Sequence, residues 1–567
     1  MPGSTQLLRR WVPWLGLLLA TAAMTWPVIV NVGSLYAGHW SDLCVTLWDM
    51  KWVERVVLEG RELLFTTHIF FPRGVSLAYH SISWLSGLWA LPLRLLFGPI
   101  AGYNLFFLSQ TFMCAAMMFV AVRRMSDSAS CGWLSAIVFA FAPFRMLESC
   151  SHPNLAGTCF VPLAMLGFWQ GVRDGRQRWV GLSAISVALT LLTGVHLFVM
   201  TSIALVSYWL SDAIIEQRYG KRAFWWWSIR VAVATAVCCA LPLAQFFLVR
   251  DQMSGALDVP FGSGRMTDIL GLWMPHRSHP LLGALGRRMQ ASVGEPVSYS
   301  VYLGFLPFLL ACASLLVPSK MRRSLIPVAI TAVLLLCLSM GQSFVVASQD
   351  QHVSLPLLLI ADLPPIAVLR HPDRFMLIFS AFFAPLVGCG VAALCKRHSL
   401  VPWLTLVLGV GVLGEYYTRP FRTEELKSIA ILSALPRDGL PLLELPLTRE
   451  QAKLSMFQQT LHDRPLVNGM VARSGDDAAT SYLRSSALLR RLSERRAHPY
   501  RCRDFELRRA WNTLENDGIG YVVVHKGSLG KTYRVIKTYL TGKPLLEDKD
   551  HAVYRIADLA SRQPNCI

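Results

Sequence analysis

Residues 9–42 read RRWVPWLGLLLATAAMTWPVIVNVGSLYAGHWSD. Two arginines open the stretch, an apolar run follows from Trp11 to about Val32, and an acid, Asp42, stands just beyond it. The run is longer than the roughly 7–15 residues of a signal-peptide core and has no clear A-x-A site, so it predicts a first transmembrane helix with Arg9 and Arg10 on the cytoplasmic side. Composition extends that reading to the whole chain. Of 567 residues, 53% are hydrophobic and 16% charged, against about 25% charge in an average soluble protein, and the mean hydropathy is +0.42. A soluble enzyme, a disordered tail and a disulfide scaffold are excluded.

Ten further apolar stretches run at about 101–122, 129–146, 154–172, 179–194, 195–214, 225–249, 299–317, 324–343, 374–395 and 400–418, broken by Gly, Pro or charge. With the first they predict about eleven spans. Residues 83–100 are also apolar, but they hold Pro92 and Arg94 and end in Phe97-Gly98-Pro99. Placed on the membrane surface, they leave Arg123-Arg124, Arg173/Arg176/Arg178, Arg218/Lys221/Arg222, Lys320/Arg322/Arg323 and Lys396/Arg397 on the same side as Arg9-Arg10. Counted as a span, they move several of those basic loops outside, against the positive-inside rule. The expectation is a mainly α polytopic protein of the plasma (inner) membrane, N-terminus cytoplasmic.

Segments 33–100, 250–298, 344–372 and 419–567 then face the extracytoplasmic side. The last has the charge of a soluble domain, a strand at Leu442–Pro446, a helix-like run at Asp477–Arg496 and a helix, glycine turn and strand in Arg508–Lys526. Residues 1–418 are expected to form the transmembrane domain and 419–567 a small α/β domain. The net charge of +19 includes no Lys/Arg stripe suited to nucleic acid, and the 13 cysteines show no CxxC or Cys/His metal spacing.

Several residues suit chemistry. In the first external loop Asp42 and Asp49 are seven apart, and Trp48 and Trp52 four apart, so on a helix starting near Ser41 each pair shares a face. Such a helix could turn tryptophans to lipid and carboxylates to a cavity, or simply carry an aromatic belt with Ser41 or Asp42 as cap. A second external turn holds Arg145, Glu148, His152, Pro153 and Asn154, either a polar site or a helix terminus. His196 lies at an external helix end, where an ionisable group is either functional or structurally satisfied. Arg265, Arg370 and Arg374 suit a lipid-linked phosphate, since a guanidinium presents paired donors, although anionic headgroups would satisfy them equally. His276 and His279, three apart, lack a third ligand at useful spacing. The sequence names no cofactor; a divalent metal stays open, although no clear motif supports one.

An acid just after the first helix, in Trp40-Ser41-Asp42, a surface helix ending Leu96-Phe97-Gly98, and short helices with basic turns resemble the GT-C superfamily of polyprenyl-phosphate-sugar-dependent glycosyltransferases over residues 8–420. Thr66-Thr67-His68-Ile69-Phe70-Phe71-Pro72-Arg73-Gly74 and Ala140-Phe141-Ala142-Pro143-Phe144-Arg145 are similar to uncharacterised bacterial members. The resemblance implies that Asp42 is the catalytic carboxylate, with Glu148 the nearest match to a second acid facing it. No Asp-x-Asp stands in the loop. The implied activity is inverting transfer of a sugar from a polyprenyl phosphate to a glycan, lipid or protein acceptor of the cell envelope. Two other classes remain open: a transporter or flippase for a lipid-linked or small anionic substrate, and a non-catalytic subunit of polysaccharide assembly.

Overall fold

The computed structural model describes residues 3–78, 80, 82–248, 265–293, 301–361, 363, 369, 371–394, 400–472, 478–493, 499–500, 506–530, 532–540 and 542–561. The chain divides into two compact units. The first comprises Met1–His39, Ser83–Leu243 and Val259–Glu425, and the second Trp40–Ile82, Ala244–Asp258 and Leu426–Ile567.

In the first unit each of the eleven apolar stretches contains helix. Among the described residues, five helices are long and apolar enough to cross a membrane: Trp84–Ser126, Val195–Ile215, Arg222–Gln245, Ser319–Ser339 and Pro372–Leu394. Ala129–Ala140 and Pro143–Ser151, bent by 41° at their junction, make a sixth if taken together. The others are short. Val161–Asp174 has 14 residues, about 21 Å of helix at 1.5 Å per residue, against a hydrocarbon core of about 30 Å.

Residues 84–126 are helical throughout except at Gly98, whose φ of 81° and ψ of 173° break the run ahead of Pro99. A side chain at Gly102 would meet the Arg94 backbone at 2.4 Å. Residues eight apart on one straight helix stand about 12 Å apart, so the chain folds back at Gly98. Trp84–Phe97 is therefore a helix separate from the one that follows, as its Pro and Arg content anticipates.

The helix Phe375–Leu394 is apolar on all sides and accordingly buried. Small residues let its neighbours close in: a Cβ at Gly388 would lie 2.3 Å from the Cys131 carbonyl oxygen, and one at Gly390 1.9 Å from that of Leu310. Gly390→Val should therefore destabilise the protein by about 1–3 kcal/mol through overpacking. Thermal melting in detergent checks this, with Gly181→Ala as the control, because nothing lies within 4 Å of a Cβ at Gly181.

In the second unit a four-stranded sheet runs Leu442–Leu445, Tyr521–His525, His551–Arg555, Leu546–Glu547. The first two strands are parallel, with Leu443 opposite Val522 and Leu445 opposite Val524. The other pairings are antiparallel. Period-two alternation sends Leu443, Leu445, Val522 and Val524 into a core with Trp511 of the helix Leu507–Asn516. Glu444, between those leucines, accepts a hydrogen bond from Ser455 Oγ at 2.8 Å, on the helix Arg449–His462, and pairs with His525 Nε2 at 2.7 Å. That helix starts at Thr448, whose side chain accepts from the Gln451 N–H. The run expected at Asp477–Arg496 is two helices, Ala478–Ser485 and Ala487–Ser493, and its ends lie outside the described residues.

Trp48 and Trp52 do not face lipid. Their helix, Trp40–Glu59, packs on Arg449–His462; both indoles are buried and stack with centroids 5.7 Å apart, and Trp48 Nε1 donates to Gln459 Oε1 at 2.6 Å. Gln459 also donates to the carbonyls of His68 and Arg464, while Arg55 pairs with Asp463. A polar partner for the Trp48 indole N–H and an ion pair at the helix end favour this burial over an interfacial position.

Acid should loosen the second unit. Burial lowers the pKa of His462, as it does that of His68. Burial opposes ionisation of Glu444, but His525, His462 and Ser455 outweigh it and hold the carboxyl below its usual range. Each group binds protons more readily unfolded than folded, so stability rises with pH across its range. Stability present at pH 7 is therefore lost first as pH falls below the ordinary imidazole value of 6.5, then below the carboxylate value of 4.5. Asp49, raised by burial, acts in the opposite sense. Tryptophan-monitored melting at pH 7 and pH 5 should show the lower midpoint at pH 5.

Candidate active site

In the second unit Asp42 lies in the first turn of Trp40–Glu59, where the helix N-terminus favours an acid. Its Oδ1 is 2.8 Å from Lys453 Nζ; Asp42 is 29% exposed and Lys453 8%. The ammonium also donates to Ser41 Oγ at 2.7 Å and stands 3.3 Å from Glu450 Oε1. Asp42 thus combines a fixed orientation with a partly open carboxylate. Asp49 is different. It is buried, with Oδ1 2.9 Å from His80 Nε2. His80 Nδ1 accepts the Ala472 N–H at 3.0 Å, so in the neutral ring Nε2 carries the proton and donates to Asp49. That arrangement anchors the loop.

In the first unit Glu148 lies on Pro143–Ser151 and is fully buried. Arg265 Nη2 donates to its Oε1 at 2.5 Å, and His152 Nδ1, one turn on, stands 3.0 Å from Oε2. Arg265 Nε stands 3.3 Å from Asp373 Oδ2. Asp373 is also buried, and neither of its carboxylate oxygens has a hydrogen-bond partner among the described residues. The turn at 371–373 holds Arg265 from both sides: the Arg265 N–H donates to His371 Nδ1 at 3.1 Å, and the Asp373 N–H to the Arg265 carbonyl at 3.2 Å. Two buried acids thus share one guanidinium that is 43% exposed. An anion drawn to that guanidinium competes with them; a substrate hydroxyl finds acceptors.

Arg145 is committed elsewhere. Buried, it donates to the carbonyls of Ala140 and Ala156 at 2.7 and 3.0 Å, to Thr158 Oγ1 at 3.3 Å and to Cys114 Sγ at 3.0 Å. It ties the C-terminal end of Ala129–Ala140 to the turn after Pro153, which is structural work. His196 is buried in the first turn of Val195–Ile215. Arg374 is half-buried at the end of the Pro372–Arg374 turn, and Arg370 lies outside the described residues. Sequence reasoning missed Lys453, which carries no local signal because its partner is 411 positions away. It passed over Asp373 inside Arg370-His371-Pro372-Asp373-Arg374, where proximity to two arginines was the available clue. Among the described residues no group of three or more His, Cys, Asp or Glu is placed to hold a metal ion.

Residues 59–413 match the family described as a domain of unknown function, DUF6311. No curated protein matches the sequence. Among solved structures, ArnT from Cupriavidus metallidurans bound to undecaprenyl phosphate is 14% identical with a TM-score of 0.51, over 97% of this chain and 99% of that one. The oligosaccharyltransferase of Archaeoglobus fulgidus, in complex with Zn and sulfate, gives 10% identity and a TM-score of 0.51 over 92% and 69%. The arabinofuranosyltransferase AftD from Mycobacteria gives 15% and 0.52 over 91% of this chain, which spans only 35% of that much longer protein. The matched region covers more than half of the sequence: the chain belongs to the DUF6311 family, and its fold is similar to those of ArnT, the oligosaccharyltransferase and AftD.

Proposed function

We propose that the protein is an integral-membrane glycosyltransferase that moves a sugar from a polyprenyl-phosphate donor to a cell-envelope acceptor at the outer face of the plasma membrane. The observation that carries this is the near end-to-end likeness to ArnT, whose structure holds undecaprenyl phosphate. The reading includes about eleven spans, a cytoplasmic N-terminus and an extracytoplasmic domain from about residue 419. Asp42 takes the proton of the acceptor hydroxyl as its oxygen attacks the anomeric carbon. The bond from that carbon to the phosphate oxygen breaks, polyprenyl phosphate leaves, and the configuration inverts. Arg265 and Arg374 are the cations suited to the leaving phosphate; Arg370 joins them as a proposal from sequence.

Mass spectrometry of envelope glycans and glycolipids, with and without the protein, tests this. Loss of one specific sugar is the expected result, and an unchanged glycan profile overturns it. The transport reading draws on Glu148 and Asp373, buried carboxylates within candidate spans. Altered solute uptake with unchanged glycans would select it.

A further inference from the structure

A pocket of about 60 Å³ opens in the first unit where the helices Gly3–Met24 and Val401–Tyr416 end, beside the helix Pro143–Ser151, and neither Glu148 nor Arg265 lines it. Its walls include Met24, Leu147 and Tyr416, and its polar groups are His276, Arg419 and Arg422. Arg422 is steered by Glu424, whose Oε1 is 2.7 Å from its Nε, and Arg419 is exposed. His276 Nδ1 accepts the Ser278 N–H at 3.0 Å, so its neutral ring carries the proton on Nε2. Burial and the nearby charge of Arg419 lower its pKa. The segment carrying the arginines is fixed by backbone pairing, with the Phe421 N–H bonded to the Trp26 carbonyl at 2.7 Å and Thr423–Glu424 paired with Tyr36–Ala37.

The surroundings add a hydrocarbon character. Tyr416 and Pro143 also wall an adjoining crevice of about 20 Å³ lined mainly by Phe and other apolar side chains. Both helices that end at the pocket flank Trp133, against which Gly16 and Gly409 lie. Their outer faces expose Leu15, Leu18 and Leu19 on one and Trp403, Val407 and Val410 on the other, and Trp26, Ile29 and Val30 are exposed just past Met24. Cationic donors at the tip of an exposed apolar surface match an amphiphile with a phosphate head.

We propose that this pocket binds the phosphate of an anionic lipid headgroup, with Arg419 and Arg422 as its ligands and the hydrocarbon lying along the exposed faces of the two helices. The site is independent of the transferase reading and does not use Asp42, Glu148 or Arg265. Binding to the purified full chain in detergent is measured with three probes: dioctanoyl phosphatidic acid, dioctanoylglycerol and inorganic phosphate. Phosphatidic acid should bind at least tenfold more tightly than either of the others. Equal binding of inorganic phosphate would assign the pocket to a free anion and overturn the lipid, and equal binding of dioctanoylglycerol would overturn the phosphate contact. R419Q and R422Q together should weaken phosphatidic acid about tenfold or more, as should L147W, which fills the cavity without changing charge. K543Q with K549Q, exposed lysines of the second unit, should leave binding unchanged. If that control weakens it equally, the attraction is general charge and the site is overturned. The wild-type probe comparison decides the matter even where a variant fails to fold.

Discussion

Asp42→Asn should lower sugar transfer by ~100-fold or more, the ordinary contribution of a general base, while protein yield and donor binding persist. Asparagine keeps the shape of the side chain and removes its basicity. The fold should tolerate the change because Lys453 retains Ser41 and Glu450, so its buried ammonium is not left unpaired. Asp49→Asn is a sharp comparison. Asp49 accepts from His80 in a buried loop anchor, so its loss should cost stability more than turnover. Transfer is measured on purified protein with a polyprenyl-phosphate sugar, and stability by melting. Near-normal turnover of Asp42→Asn would remove Asp42 as the base; a large loss with Glu148→Gln alone would move that role to the second turn.

Arg265→Ala should strongly destabilise the first unit. It leaves Glu148 and Asp373, both buried, without the guanidinium they share. Removing one partner of a buried ion pair costs about 3–5 kcal/mol, and the 43% exposure of Arg265 lets water lessen that, so the lower end is expected. Uncompensated carboxylate charge is the cause of the loss. Adding Glu148→Gln and Asp373→Asn to Arg265→Ala should therefore recover a large part of the melting temperature, which a simple packing defect would not allow. Transfer should stay low in the recovered triple variant. If stability does not return, the cluster is held by shape, and Arg265 does not serve as the shared counter-ion of the two acids.

What the sequence disclosed and what it withheld follow from the range of the interactions. Apolar stretches and the Leu442–Leu445 and Tyr521–His525 strands are local patterns, and helices and strands stand where those patterns lie. The break ahead of Pro99 is equally local. Glu148, Arg265 and Asp373 are each visible as polar residues at the edges of apolar stretches, but the sharing of one guanidinium by two acids joins positions 117 and 108 residues apart. Periodicity cannot report such a join. The tryptophans mark the other limit. Trp48 and Trp52 share a helix face as their spacing requires, yet spacing does not say whether that face meets lipid or another helix, and Gln459 decides it.

That last packing has a temporal side. The helix carrying Trp48 and Trp52 is synthesised long before Arg449–His462, which covers it. At about 5–20 residues per second, the intervening chain takes roughly 20–80 s to make. Throughout that interval both indoles lack their eventual partner, and a tryptophan-bearing helix beside a bilayer settles at its surface. The aromatic belt suggested by the sequence is therefore expected of the nascent chain alone, since the folded protein buries both indoles. A ribosome-stalled chain ending before Arg449 should expose Trp48 and Trp52 to quenchers in the lipid headgroup region, and the full-length protein should not.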